Sequence, residues 1–292
     1  MQRTKVMQTI VQHLANEFKG YKLKDFKKAF VRKLAMIKYR GESFYCPVCD
    51  ANLKCFKPMW KSFLRKMELY GFVYPLASIE TFNLNAYSCP SCDASDRERL
   101  YALYLEKYLR TAEPGRIHTL IDFAPSLALS KKIRKYSSVH YRTADLFRPN
   151  VDDHVDITDM KPYADESVDI FLCSHILEHI PDDRKAMREL WRILKYDGFG
   201  IVMVPLIAGV DTTHEDPALI SPEERWKYYG QDDHLRLYGK TDFISRLEEA
   251  GFKVDSLTMA DFGAETFSKC GIHENYILYI VRRANPDSGL SA

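Results

Sequence analysis

The sequence predicts an α/β fold: a parallel sheet of seven strands with helices on both faces, carried behind a basic N-terminal head and a small metal-bearing unit. Three observations predict it. The stretch 166–205 reads as strand, helix, strand, the unit from which parallel sheets are built. Strand-like and helix-like apolar patterns follow one another from His118 to Val281. Acidic residues, Asp122, Asp145 and Asp156, lie in three successive predicted strands at the carboxyl edge, where open α/β sheets bind ligands.

The elements follow in order. Val6, Ile10, Leu14 and Phe18 fall four apart, and after Gly20 the residues Leu23, Phe26, Phe30, Leu34 and Ile37 continue the stripe, which predicts two amphipathic helices. The first 40 residues hold 11 Lys/Arg and 2 Asp/Glu of the chain's 42 and 40, so a head of +9 precedes a body of −7 in a net charge of +2. The basic faces fit nucleic acid, anionic lipid or an acidic partner surface, or plain solvated faces on helices that dock by their apolar side.

Cys46-Pro-Val-Cys49 and Cys89-Pro-Ser-Cys92 come next. Each pair puts two thiolates on a tight turn, and two such turns supply the four soft ligands that a structural Zn²⁺ prefers. Seven cysteines in a chain read as intracellular and cytoplasmic suit metal or core packing rather than disulfides. Cys55 is an alternative ligand or a buried free thiol. Between the knuckles the aromatics Phe56, Trp60, Phe63, Tyr70, Phe72, Tyr74 and Phe82 alternate with Lys54, Lys57, Lys61, Arg65 and Lys66. They stack bases, form the core of the zinc unit, or make one wall of a substrate pocket.

Ser95-Asp-Arg-Glu98 is a capping box that starts a connecting helix ended by Pro114-Gly115. His118–Phe123 is the first sheet strand, a helix runs over 127–136, Val139–Asp145 is the second strand and 155–158 the third. Ser167–Ser174 is apolar enough for a strand buried on both faces. Asp182 caps a helix with Ala186, Met187, Leu190, Trp191 and Leu194 on one face, Gly198 ends it, and 200–204 forms the fifth strand before Pro205. A helix over 241–250 and strands over 254–259 and 276–281 complete the sheet. No apolar run reaches the roughly 20 residues that a membrane helix needs. The domain boundaries read are 1–44 for the basic helices, 45–94 for a zinc-ribbon-like domain, 95–115 for the connecting helix, 116–284 for the α/β domain and 285–292 for a tail.

From His118 to Arg283 the order of elements resembles the class I, Rossmann-like, S-adenosylmethionine-dependent methyltransferases, of the type 11 kind. The likeness is most specific in VDITDMKPYADESVDIFLCSHILEHIPDDRKAMRELWRILKYDGFGIVMVP, and the CPxC knuckles together with Gly230-Gln-Asp-Asp-His-Leu-Arg236 resemble a bacterial subgroup with an N-terminal zinc ribbon. The resemblance implies S-adenosylmethionine as cofactor. Asp122, with Phe123, Ala124 and Pro125, would meet its amino-acid part, and Asp145 beside Leu146 its ribose. Asp156, Ile157 and Thr158 would lie at adenine, with Ser174 and His175 beneath the methionyl group. One departure is the turn Asp122-Phe-Ala-Pro-Ser126, which lacks the family's glycines. That argues against a dinucleotide dehydrogenase, whose pyrophosphate needs a glycine turn, whereas S-adenosylmethionine has no phosphate to cradle.

Methyl transfer is a displacement at an activated sulfonium, so the protein mainly aligns donor and acceptor. A hydroxyl or protonated amine needs a base, for which His234 or His179, oriented by Asp233, is placed. Glu178, Gln231 and Arg236 would bind the acceptor, Arg236 through an anionic group. The expected reaction is methylation of an O or N of a small polar acceptor, anionic or sugar-like. The alternatives are an RNA methyltransferase gripping phosphates with the zinc ribbon and basic head, and a non-catalytic binding protein with a degenerate cofactor site.

Overall fold

The computed structural model describes residues 37–284. The basic helices expected before residue 37 and the tail from 285 lie outside those residues. Seven strands form one sheet in the order β5-β4-β3-β6-β7-β9-β8. They are β3 His118–Phe123, β4 Val139–Asp145, β5 Asp153–His154, β6 Val168–Ser174, β7 Leu194–Met203, β8 Phe252–Leu257 and β9 Leu278–Arg283. All neighbours pair in parallel except β9, which runs antiparallel to β7 and β8. The sheet grows from β3 in both directions, by β4 and β5 on one side and by β6 and β7 on the other. Right-handed crossovers then put the helices on opposite faces and leave a crevice at the carboxyl ends of β3 and β6.

The central strands form because their side chains leave nothing polar to solvate. In β6 every residue but the last is buried, and the following helix, Asp183–Ile193, turns Ala186, Met187, Leu190 and Ile193 into the core at 0% exposure. Asp182 accepts from the Lys185 amide at 2.9 Å and starts it as expected. The end of this helix corrects the sequence reading: it stops at Ile193, and β7 begins at once with Leu194 paired to Val168. Buried Asp169 draws the chain back to the sheet, since its carboxylate takes Lys195 at 2.8 Å, Arg116 at 2.9 Å and the Thr119 amide at 2.9 Å. Gly198 is therefore not a helix cap in the left-handed region. A side chain there would lie 2.5 Å from the Asp169 carbonyl oxygen. The third sheet strand is likewise two residues earlier than expected. Asp156 Oδ1 takes the amide and hydroxyl of Thr158, both at 2.8 Å, a local turn that competes with a ladder.

Ahead of the sheet lie strands β1 Arg40–Cys46 and β2 Ala51–Leu53, paired antiparallel, then helices α1 Lys61–Leu69 and α2 Asp96–Thr111. Ser95 and Glu98 form the expected capping box at the start of α2. This part shares the main core: Cys46, Val48, Leu53, Phe56 and Cys89 are buried in one cluster with the sheet residues. Arg99 ties the two together. It is 0% exposed, stacks 3.8 Å over the Phe56 ring, and donates to the carbonyls of Ala86, Tyr87, Ala94, Cys270 and Gly271 at 2.5–3.2 Å. A guanidinium with five donors satisfied by five carbonyls needs no carboxylate partner. A second cluster joins Met67 and Ile79 to Ile207, Trp226, Tyr229 and Leu237, and seats the aromatic insert against α3 Pro222–Tyr229, the helix carrying the second capping box.

Candidate active site

Three cavities meet at the carboxyl edge of the sheet. A groove of about 390 Å³ runs along the ends of β3, β4 and β6, lined by Phe123, Ala124, Asp145, Leu146, Asp156, Ile157, His175, His179 and Asp233 among others. A recess of about 90 Å³ beside it is lined by Asp122, Phe123, Ala124, Ser126, Ser174 and, from α2, Arg97, Glu98 and Tyr101. A pocket of about 300 Å³ lies beyond, with Glu178, Gln231 and His234 on one side and Trp60, Phe63, Met67, Phe72 and Phe82 of the insert on the other. His175 and His179 wall both groove and pocket, and Arg97 walls both pocket and recess.

The first turn explains how the groove exists without glycines. Ala124 adopts φ +52, the left-handed conformation that glycine takes most easily, and its amide donates to the Ala144 carbonyl at 2.9 Å. Ser126 caps the helix Leu127–Ile133 through the Leu129 amide at 3.1 Å and bonds Glu98. Asp122 is 5% exposed and accepts from Tyr141 at 2.6 Å; burial outweighs that bond and pushes its carboxyl up to about 7. Asp145 accepts from the amides of Phe147 at 2.8 Å and Arg148 at 2.9 Å, so one of its oxygens shapes its own loop. Ser174 shares a hydrogen bond of 2.8 Å with Tyr101.

The wall between groove and pocket is built from two segments. After β6, His175 sits at φ +56 with its Nδ1 3.3 Å from Glu178 Oε1. Glu178 is 0% exposed, and neither of its oxygens has a hydrogen-bond partner among the described residues. Burial alone would raise this carboxyl; the imidazoles around it, His175 first, hold it at about 2 instead. Burial pushes His175 down to about 4 and lowers His234 as well. From the 231–236 loop, His234 meets the Tyr229 carbonyl through Nδ1 at 2.9 Å, and its ring lies edge-on to His179 with centroids 4.7 Å apart. Asp233 Oδ2 is 3.4 Å from His179 Nδ1. The two segments are joined where the Leu235 amide donates to the Glu178 carbonyl at 2.8 Å.

Arg236 corrects an expectation. It is 1% exposed and donates to the carbonyls of Leu177, Ile180 and Pro181 at 2.5–3.0 Å and to Glu215 at 2.5 Å, so it braces the 177–181 segment instead of meeting a substrate anion. Pro125 and Thr158 line none of the three cavities; Pro125 offers its carbonyl to Arg148 and Thr158 holds the Asp156 turn. Arg97 was not singled out by sequence reasoning. Among the described residues its guanidinium forms no ion pair and no hydrogen bond, although it faces pocket and recess. Its place in the first turn of the helix behind the Ser95 capping box is the signal that would have found it.

The four knuckle thiols converge. Cys46 Sγ lies 3.8 Å from Cys92 Sγ, and Cys49 Sγ 3.8 Å from Cys89 Sγ. A tetrahedral zinc ion with bonds of about 2.3 Å spaces its sulfurs about 3.8 Å apart, so the donor set fits. Each knuckle closes on an aspartate in the left-handed region, Asp50 at φ 60 and Asp93 at φ 65, whose amides return to the carbonyls of Cys46 and Cys89. The repeated Asp after each second cysteine is a signal the sequence reading passed over. Cys55 is exposed, not buried, and stands outside the cluster.

Residues 107–202 match the family model of a methyltransferase domain. That match supports a class I, S-adenosylmethionine-dependent methyltransferase. No curated protein matches the chain. Among solved structures, the CurJ carbon methyltransferase aligns at 11% identity with a TM-score of 0.43, over 65% of this chain and 58% of its own. A methyltransferase-like protein from Bacillus halodurans C-125 aligns at 17% and 0.39, over 62% and 99%. The 1,6-didemethyltoxoflavin-N1-methyltransferase of Burkholderia thailandensis, solved with that toxoflavin and S-adenosylhomocysteine, aligns at 13% and 0.40, over 65% and 87%. The chain thus spans less than two thirds of the first of these.

Proposed function

We propose that the chain transfers a methyl group from S-adenosylmethionine to an oxygen or nitrogen of a small polar acceptor bearing an anionic or sugar-like group. The observation that carries this reading is the shared wall: His175 and His179 line both the groove at the strand ends and the pocket of about 300 Å³. In this reading Asp156 and Ile157 hold adenine, with Thr158 fixing their turn. Asp145 and Leu146 take the ribose, and Asp122, Phe123, Ala124, Ser174 and His175 surround the methionyl end, with Pro125 holding the turn behind them through Arg148. The acceptor enters between the aromatic insert and the residues Glu178 and Gln231. Bound S-adenosylmethionine would supply a methyl group on an activated sulfonium, which the acceptor's lone pair would take while the carbon–sulfur electrons stay on sulfur and the acceptor's proton passes to His234 or His179. His234, Asp233 and His179 activate the acceptor atom. Arg97, with its unpaired guanidinium in the pocket, takes the anionic role first expected of Arg236.

The domain boundaries read from the sequence, a cytoplasmic setting, membership of a zinc-ribbon subgroup and a structural zinc ion on Cys46, Cys49, Cys89 and Cys92 belong to the same proposal. None of the seven cysteines forms a disulfide, which suits a reducing compartment. A small acceptor is favoured over RNA by the insert, whose aromatics line the pocket, while Lys57 is paired with Asp93 at 2.6 Å and Lys66 lies over the Trp226 ring at 4.8 Å.

The test is transfer of tritiated methyl from S-adenosylmethionine to two pools, small anionic metabolites and total RNA, at two salt concentrations. Label in the small-molecule pool, lost in Arg97→Ala, is expected. Label in RNA that falls steeply with salt would replace this reading with the RNA methyltransferase.

A further inference from the structure

We propose that Glu178, His179 and His234 hold a divalent transition-metal ion in the wall between groove and pocket, distinct from the four-cysteine site. One ligand atom from each of the three lies within 4.8 Å of the others. With bonds of about 2.1 Å, neighbouring ligands of one ion stand about 3.0–3.6 Å apart, so the three groups draw together by roughly 1 Å to close on it.

The strongest observation is the carboxylate. Glu178 is fully buried and both its oxygens lack a hydrogen bond, an arrangement that is costly without a counter-charge. His234 does not supply one. Its Nδ1 meets the Tyr229 carbonyl at 2.9 Å, a contact that requires the proton on Nδ1 and leaves a lone pair on Nε2. That nitrogen stands 4.0 Å from Glu178 Oε1, too far for a hydrogen bond between them. A cation between them satisfies both.

The supporting contacts have the character of a metal site. A ligating imidazole ordinarily gives its other nitrogen's proton to a carbonyl or carboxylate, which fixes tautomer and ring orientation. His234 has the Tyr229 carbonyl, and His179 has Asp233 at 3.4 Å from its Nδ1. His175 adds a third imidazole beside Glu178, its Nε2 buried and unpartnered among the described residues. The backbone bond from Leu235 to Glu178 and the Arg236 brace hold the two ligand segments in register before any ion arrives. Two imidazoles and one carboxylate favour manganese, iron, cobalt or zinc over calcium or magnesium, and leave positions open for exogenous oxygen. An acceptor hydroxyl or carboxylate in the pocket would fill one; that part rests on the methyltransferase reading, whereas the ion site does not.

The test uses the full chain with zinc on its cysteines, dialysed and titrated with Mn²⁺ while the free ion is followed by electron paramagnetic resonance, then with Co²⁺ followed by absorption. The expected result is one Mn²⁺ per chain above the zinc, and Co²⁺ bands without thiolate charge transfer. Affinity should fall roughly tenfold or more in both Glu178→Gln and His179→Ala, with zinc content unchanged. A wild-type chain that binds no ion beyond the zinc, or variants that bind as wild type does, overturns the proposal. Calorimetry with S-adenosylhomocysteine on the same samples separates the two claims: metal uptake without cofactor binding sinks the methyltransferase reading alone, and cofactor binding without metal uptake sinks only the ion site.

Discussion

Asp122 is a carboxyl whose burial is not matched by an opposite charge, and that has a consequence in pH. Its native value of about 7 stands above the 3.8 of a free aspartate, so between those values the native state holds a proton that the unfolded state releases. Stability therefore falls as pH rises from about 4 to 7, and the loss is complete above the native value. Urea midpoints of wild type and Asp122→Asn from pH 4.5 to 7.5 isolate this group. Wild type should lose a few kcal/mol relative to the variant across that window, and parallel profiles would refute the assignment. Single residues were unevenly legible. The three aspartates stood out because they fall at the ends of three successive predicted strands. Arg97 and Arg99 did not, and Arg236 was read as a substrate ligand, because nothing local distinguishes an arginine held by backbone carbonyls from one that faces a pocket or solvent. Only the tertiary position of Ala86, Gly271 or Leu177 decides it.

Elements were read better than their ends. Strands buried on both faces announce themselves by composition, and β3 and β4 agree with the reading to the residue. The helix before β7 was read too long because Leu194 continues its apolar spacing. The contact that stops it, Lys195 with Asp169, is not local. At this scale the four-cysteine cluster makes a prediction of its own. The knuckles anchor the insert that walls the pocket, so a chelator, or Cys92→Ala, should release one zinc ion per chain and lower Tm by roughly 5–10 °C. A colorimetric zinc assay run beside circular dichroism checks this; zinc release with Tm unchanged would make the cluster dispensable for the fold.

Across the whole molecule, sheet order, groove and pocket suit the proposed arrangement, in which a cofactor would lie over the strand ends with its reactive group toward His175 and His179. Among the described residues no helix is long and apolar enough to cross a membrane. The sheet class was legible because periodicity reports it, and the groove residues because strand ends report them. The pocket was legible only as one of three roles for the aromatic insert, since it forms only when residues 59–82 fold over the 205–237 segment, as in the pairing of Ile79 with Ile207. The central claim is the cofactor, and calorimetric titration of the zinc-loaded chain with S-adenosylmethionine and S-adenosylhomocysteine tests it most directly. Both should bind at one site per chain with micromolar affinity, weakened about tenfold or more in Asp145→Ala by loss of the ribose contact. A folded chain that takes up neither ligand would contradict the account.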